Sequence, residues 1–146
     1  MKFDLQKQSP KFYEYLFQSH LLQKQIEKGQ VEVYPGLSWE MLAKLPDKSI
    51  DYLYLDAGHS YEEVVKDIEQ VSKKIKETGI IQFNDYTLFD CFAFIPYGVP
   101  KAVHEFMLKE NYELLFLCLH RQFFCDVVVR KKSQILDTRH QMLDTR

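Results

Sequence analysis

Residues 51–69, DYLYLDAGHSYEEVVKDIE, change from one hydrophobic pattern to another within a single stretch. The first half is an almost continuous apolar run that ends at Asp56, which is typical of a parallel strand covered by helices on both faces. After a glycine and His59, apolar residues recur every three or four positions, which predicts a helix with one buried stripe. The stretch therefore predicts a strand, a polar turn and a helix, as in a parallel α/β sheet.

The residues before this stretch continue the alternation of helices and strands. The pattern predicts a helix over residues 9–28, a short strand at residues 31–34 (VEVY) and a helix over residues 38–46. Ser38 is the expected N-cap of the last of these helices.

The residues after it complete the predicted sheet. Gly79 is expected to end the central helix. The remaining segments are, in order, a strand at residues 79–85, a long and partly buried loop at residues 87–100, a helix that starts at Pro100, and two strands at residues 112–119 and 123–131. The last two strands are predicted to pair antiparallel. We therefore expect a three-layer α/β sandwich with a mostly parallel sheet, a C-terminal antiparallel hairpin and one reversed edge strand.

The composition indicates one globular domain and narrows the class of partner. The chain has 146 residues, 46% of them hydrophobic, and a formal net charge of -2 with acidic and basic residues interspersed. This balance gives no electrostatic reason to bind nucleic acid or an anionic membrane. Small molecules and proteins are therefore the expected partners.

The cysteines and the apolar runs favour a soluble protein of the cytoplasm. The chain has three cysteines and no CxxC pair, so neither a disulfide framework nor a thiolate zinc site is indicated. The longest apolar run, residues 114–119, is far shorter than the about 20 residues that span a bilayer. The first residues have no apolar signal core.

Polar side chains follow two of the predicted strands. Asp56 ends one strand, Asn84 and Asp85 end the next, and His59 comes shortly after Asp56. Ligands of open α/β sheets bind beyond the carboxyl ends of the strands. Two carboxylates and an amide oxygen suit Mg²⁺ or another hard cation, and a neutral imidazole can remove a proton from a hydroxyl.

Each of these residues also has an ordinary structural explanation. Asp56 before a helix can be a cap or turn acceptor, and Asn84-Asp85 after a strand is a common turn. His59 alone can be a surface or capping residue. Their conjunction is the signal for a functional site.

Three segments together resemble a known family. IDYLYLDAGHSYEEVVKDIE (residues 50–69), GIIQFNDY (79–86) and YGVPKAVHEF (97–106) match in order and spacing the typical segments DGDHSYEGVLRDL, GGLIVFDDY and GVKRAVDEF. Over residues 31–131 the chain is thus similar to class I S-adenosylmethionine-dependent methyltransferases of the macrocin and sugar O-methyltransferase type. The resemblance implies a Rossmann-like fold, S-adenosylmethionine as cofactor and methylation of a small-molecule or sugar hydroxyl.

The resemblance also implies roles for individual residues. The positions that hold Mg²⁺ in metal-dependent members fall on Asp56, Asn84 and Asp85, and the general base falls on His59. Asn84 stands where many relatives have aspartate, so this metal site would carry one negative charge less.

Three further positions match parts of the family's cofactor site. Gly36 and Ser38 match a small turn near the adenine, and Asp4 matches the acidic residue that binds the ribose. The family's first strand and its glycine-rich E/D-x-G-x-x-x-G turn have no counterpart, since no two of the five glycines lie within that spacing.

We therefore expect an N-terminally truncated methyltransferase-like domain at residues 1–132, followed by a tail at residues 133–146. Unpartnered sheet edges would then be exposed, and a homo-oligomer would cover them.

Three functions are compatible with these residues. The first is metal-assisted O-methylation by an S-adenosylmethionine-dependent enzyme. The second is a catalytically inactive, truncated domain that serves as an interaction or oligomeric module. The third is a metal-dependent hydrolase that uses the same oxygen ligands, although no further His or Asp cluster supplies a second ion.

Overall fold

The structure, a computed structural model, describes residues 22–119 and 124–132. The chain divides into two compact units, Met1–Pro46 and Asp47–Arg146. No helix in the described part of the chain is long and apolar enough to cross a membrane.

The described part of the first unit contains two short helices, α1 (Gln23–Glu27) and α2 (Ser38–Lys44). Most of the helix predicted at residues 9–28 lies outside the described residues. The strand predicted at residues 31–34 is wrong, since these residues form no strand. VEVY is short, and the described part of this unit offers no neighbouring strand to pair with its backbone.

The predicted N-cap of the second helix is also wrong. Ser38 is the first residue of α2, and Leu37 is the N-cap without a side-chain hydrogen bond.

The described elements of the second unit are β1 (Ile50–Leu55), α3 (Tyr61–Lys74), β2 (Ile75–Phe83), β3 (Phe89–Asp90), β4 (Ile95–Pro96), α4 (Val99–Lys109), β5 (Tyr112–Leu119) and β6 (Cys125–Lys131). These strands form a four-stranded sheet with the order β1-β2-β6-β5 and a separate two-stranded hairpin, β3-β4. β1 and β2 are parallel, whereas β6 runs antiparallel to both β2 and β5. The predicted α/β class and the C-terminal antiparallel hairpin are confirmed.

The reversed strand lies inside the sheet and not at its edge. β6 contains Val127, Val128 and Val129, whose side chains are all buried, whereas four side chains of β5 are more than half exposed. The more apolar strand of the hairpin therefore takes the central position, and β5 becomes the edge.

Two boundaries differ from the predictions because tertiary contacts override local signals. Gly79 does not end the helix but lies buried inside β2, which starts directly after α3. A Cβ at Gly79 would lie 2.6 Å from the Ile75 side chain and 3.0 Å from the Ile50 carbonyl oxygen, so the close strand approach favours glycine. The loop predicted at residues 87–100 contains the β3-β4 hairpin and the first turn of α4.

The core of the second unit lies between the sheet and the two long helices. α3 and α4 pack on each other. Phe106 of α4 contacts Phe83 of β2 with ring centroids 6.2 Å apart and Tyr112 of β5 at 4.5 Å. All three side chains are buried, which holds α4 against the sheet.

A capping box fixes the start of α3. The Ser60 hydroxyl accepts a hydrogen bond from the Glu63 N–H at 3.3 Å, and the Glu63 carboxylate accepts one from the Ser60 N–H at 3.3 Å. Two N–H groups that lack partners inside the helix are satisfied in this way. The helix therefore begins directly after the polar turn that contains His59.

Ser60→Ala removes one half of this capping box. We expect the free energy of unfolding to fall by about 1 kcal/mol, the usual loss for an N-cap serine. Urea denaturation would measure it, with Ser72→Ala on the same helix as control, expected within about 0.5 kcal/mol of wild type. Equal losses for both variants would contradict a special role of the cap.

Candidate functional site

The carboxyl ends of β1 and β2 lie side by side. Leu55 pairs with Phe83, and the Asn84 N–H donates to the Leu55 carbonyl at 2.9 Å. Asp56 and Asn84 thus leave the sheet at neighbouring positions, on the edge where open α/β sheets bind ligands. The structure therefore brings together the strand-end residues that the sequence singled out.

His59 lies between the two carboxylates of this edge. Its Nε2 is 3.1 Å from Asp85 Oδ2 and 4.0 Å from Asp56 Oδ1. Nε2 itself is buried and makes no well-aligned hydrogen bond to the described residues, although 31% of the side chain is exposed. A buried polar atom without an aligned partner needs an explanation, and a functional role is one of the recognised explanations.

The structural explanation of His59 or Asp56 as the cap of α3 is wrong, since Ser60 is the N-cap.

The turn at Asp85 has a strained backbone. Asp85 has a φ of 52°, in the left-handed region, and its carbonyl accepts from the Thr87 N–H at 2.7 Å. This conformation directs the carboxylate of Asp85 towards His59.

Asp85 is less readily ionised than an ordinary aspartate. Burial raises the pKa of its carboxyl, and the nearby Asp56 charge adds to this rise, whereas a positive charge on His59 opposes it. An ionised Asp85 therefore costs folding free energy, and a positive charge on His59 offsets part of that cost.

Asp85→Asn is expected to stabilise the fold at neutral pH. A raised folded-state pKa means that the cost of ionisation is absent below the unfolded-state pKa and fully present above the folded-state pKa. Asparagine also tolerates the left-handed backbone. We expect a higher Tm than wild type at about pH 8 and a difference that shrinks towards about pH 3, where aspartates are protonated.

Thermal unfolding followed by circular dichroism would measure this difference. Asp56→Asn is the matched control, because its side chain is 53% exposed and should change the Tm little at any pH. A Tm of Asp85→Asn below wild type at about pH 8 would contradict the unfavourable burial of this carboxylate.

A buried carboxylate that the sequence analysis missed fixes Asn84. Asp126 on β6 is 2% exposed, and its two oxygens accept from Asn84 Nδ2 at 2.9 Å and from Gln82 Nε2 at 2.5 Å. The Asn84 amide nitrogen therefore faces Asp126, and Oδ1 is the atom of this amide that is left for another contact. The available signal was one acidic residue inside the apolar strand CDVVVRK.

A second residue that the sequence analysis missed is Tyr97. Its ring stacks on the His59 imidazole with centroids 4.5 Å apart and planes 16° apart, and the Gly98 N–H donates to the His59 carbonyl at 2.8 Å. No local pattern indicated this contact, because the two residues are far apart in the sequence.

The oxygen groups at this edge match Mg²⁺ in type. Asp56, Asp85 and the amide oxygen of Asn84 are hard donors, as this ion prefers. Among residues 22–119 and 124–132, however, no group of three or more His, Cys, Asp or Glu side chains is placed to hold a metal ion. An ion at this edge would therefore depend on Asn84 and on water for the rest of its ligands.

The residues predicted to bind the cofactor belong to the first unit. Asp4 lies outside the described residues. Gly36 has a φ of 148°, a backbone conformation that favours glycine, whereas the atom nearest to an added Cβ is the flexible end of Met41 at 2.7 Å. Cofactor binding by Asp4, Gly36 and Ser38 stays a prediction.

Solved structures share this fold at low sequence identity. A Sulfolobus solfataricus protein assigned to the type 11 methyltransferases has a TM-score of 0.52 at 16% identity, over 80% of this chain and 69% of that chain. PH0226 from Pyrococcus horikoshii has a TM-score of 0.51 at 14% identity, over 75% and 64%.

A third structure covers a smaller share of a longer chain. It is TTHA0409 from Thermus thermophilus, assigned as a DNA modification methylase and solved with S-adenosyl-L-methionine. Its TM-score is 0.48 at 11% identity, over 66% of this chain and 53% of that chain. The present chain thus spans about half the length of that protein.

A family model described as a methyltransferase domain matches residues 2–86. No curated protein matches the chain. The matched residues are more than half of the 146 and include the three strand-end residues and His59. The chain belongs to this methyltransferase domain family.

Proposed function

We propose that this chain carries the acceptor-activating site of an S-adenosylmethionine-dependent O-methyltransferase of the macrocin type. The proposal rests on one observation. His59 Nε2 lies 3.1 Å from Asp85 Oδ2 at the carboxyl ends of two adjacent parallel strands. Membership of a methyltransferase domain family supports the reaction class.

In this proposal His59 is the general base. Asp85 would accept a hydrogen bond from the Nε2–H of the neutral ring, which leaves Nδ1 unprotonated and able to take a proton. The contact between Nε2 and Asp85 is not aligned as a hydrogen bond, but such contacts often tighten only when substrate binds.

The proton moves from the acceptor hydroxyl to His59 Nδ1. The cofactor, when bound, supplies an electrophilic methyl group on a sulfonium. The hydroxyl oxygen would bond to this methyl carbon as the carbon–sulfur bond breaks, and the cofactor would leave as a thioether. Asp85 and Asp56 lie on the Nε2 side of the ring and stabilise the positive charge that His59 gains.

Metal assistance is part of the same proposal. Asp56, Asn84 and Asp85 would hold Mg²⁺, which would lower the pKa of the acceptor hydroxyl when bound. The oxygen types support this role, whereas the bond between Asn84 and Asp126 leaves only the amide oxygen for the ion. The remaining ligands would be water molecules.

Transfer of labelled methyl groups tests the proposal. The full chain would be incubated with methyl-labelled S-adenosylmethionine and a panel of sugars, phenols and aliphatic alcohols, with Mg²⁺ or with EDTA. We expect label in at least one hydroxyl compound, and a loss of transfer with EDTA if the ion assists. No transfer to any class of acceptor, with or without Mg²⁺, would contradict the proposal.

One observation favours a second candidate, an oligomeric module without catalysis. The edge strand β5 exposes apolar side chains, among them Phe116 at 64% and Leu119 at 80%. An exposed apolar edge strand can pair with a second copy of the chain. We expect light scattering to give the mass of a dimer or larger species for the wild type. A wild-type monomer, with the same mass as the Phe116→Lys variant, would contradict this candidate.

A further inference from the structure

We propose that Tyr97 is a positioning residue for His59, and that Asp90 at the end of β3 holds Tyr97 in place. The inference rests on the proposed role of His59 as general base. It adds that the hairpin, and not only the strand ends, sets the orientation of the imidazole.

His59 is held from three directions by two segments, the turn at Asp85 and the adjacent residues Tyr97 and Gly98. Asp85 contacts the Nε2 edge of the ring at 3.1 Å. Tyr97 covers one face, with the two planes only 16° apart. The Gly98 N–H fixes the backbone of His59 through its carbonyl at 2.8 Å. The stacked ring therefore limits rotation of the imidazole about its side-chain bonds.

Tyr97 is in turn fixed by Asp90. Its hydroxyl donates to Asp90 Oδ2 at 3.1 Å, and its N–H donates to the Leu88 carbonyl at 3.0 Å. Burial and the neighbouring Asp90 raise the pKa of Tyr97 to about 12, so the phenol keeps its proton at neutral pH. The tyrosine is thus a donor under all conditions in which the base would act.

Asp90 is suited to the acceptor role. Its Oδ1 accepts from the N–H groups of Phe92 at 2.8 Å and Ala93 at 3.0 Å, which closes the turn between β3 and β4. These backbone hydrogen bonds lower the pKa of the carboxyl and keep it ionised. The other oxygen of the same carboxylate receives the Tyr97 hydroxyl, so the folded turn and the tyrosine are linked.

The link has a consequence for the base. A general base must lie within hydrogen-bond reach of the hydroxyl it deprotonates, and a misplacement of about 1 Å can cost about 10²-fold in rate. Loss of the stacked ring should therefore lower kcat by about 10–10²-fold without changing cofactor affinity.

Nuclear magnetic resonance of the histidine rings tests the inference without cofactor or acceptor, so it is independent of the proposed reaction. The full chain would carry ¹³C-labelled histidine, and His59→Gln would assign the His59 signals. A stacked ring shifts the protons above it upfield. We expect upfield ring protons for His59 in the wild type and loss of this shift in Tyr97→Leu.

Two further variants separate positioning from simple stability. Tyr97→Phe keeps the ring but loses the hydroxyl, so the upfield shift should decrease without disappearing. If Tyr97→Leu does not fold, the Tyr97→Phe variant alone decides the test. Phe94→Leu, on the same hairpin and 78% exposed, should leave the His59 signals unchanged. His59 signals that are the same in wild type, Tyr97→Leu and Tyr97→Phe would overturn the inference.

Discussion

His59→Gln is expected to lower kcat for methyl transfer by about 10²–10⁴-fold, the usual contribution of a general base. Glutamine has a similar reach but cannot take up the acceptor proton. The cofactor dissociation constant should stay near the wild-type value, because His59 is proposed to act on the acceptor hydroxyl. The measurement is initial rate against acceptor concentration, with cofactor affinity determined separately.

The pH profile of kcat shows whether His59→Gln loses rate because the general base is missing. In the wild type kcat should rise with pH as the base loses its proton, and this rise should be absent in His59→Gln. His104→Gln is the matched control, since His104 lies on an exposed position of α4 and should retain the wild-type rate and profile. A His59→Gln rate within about threefold of wild type would contradict a role as general base.

Gly98→Ala is expected to destabilise the second unit by about 3 kcal/mol, at the upper end for overpacking. A Cβ at Gly98 would lie 2.2 Å from the backbone nitrogen and 2.4 Å from the Cα of Tyr61, at the start of α3. Backbone atoms cannot move aside as a flexible side chain can. The start of α4 or of α3 must therefore shift.

The same substitution should disturb the site. Gly98 follows Tyr97, and its N–H donates to the His59 carbonyl, so a shift changes both contacts of the histidine. Urea denaturation would measure stability, with Glu69→Ala on an exposed position of α3 as control, expected within about 0.5 kcal/mol of wild type. If Gly98→Ala were as stable as wild type, the claim that the starts of α3 and α4 approach too closely for a Cβ would be wrong.

The sequence predicts well those elements whose signals are local. The apolar run before Asp56 and the helical spacing after Ser60 predict β1 and α3, since both depend on periodicity within one stretch. The predicted cover of β1 by helices on both faces is wrong, because β1 is an outer strand of the described sheet and none of its residues is buried. The placement of Asp56 and Asn84 at one edge followed from the polarity of parallel strands.

Features that depend on distant contacts were missed or wrong. Gly79 looked like a helix end, but a strand approaches its backbone closely and keeps it inside β2. VEVY has strand propensity, yet no strand forms there. Tyr97 contacts His59, and Asp126 accepts a hydrogen bond from Asn84. In both pairs the residues are about 40 positions apart, so no local sequence pattern indicates the contact.

Isothermal titration of S-adenosylmethionine into the full chain tests the central claim most directly. We expect a saturable binding heat with a dissociation constant of about 1 µM–1 mM, and competition by S-adenosylhomocysteine. Circular dichroism of the same sample would establish that the chain is folded. A folded chain that binds neither ligand, with or without Mg²⁺, would contradict the proposed methyltransferase site.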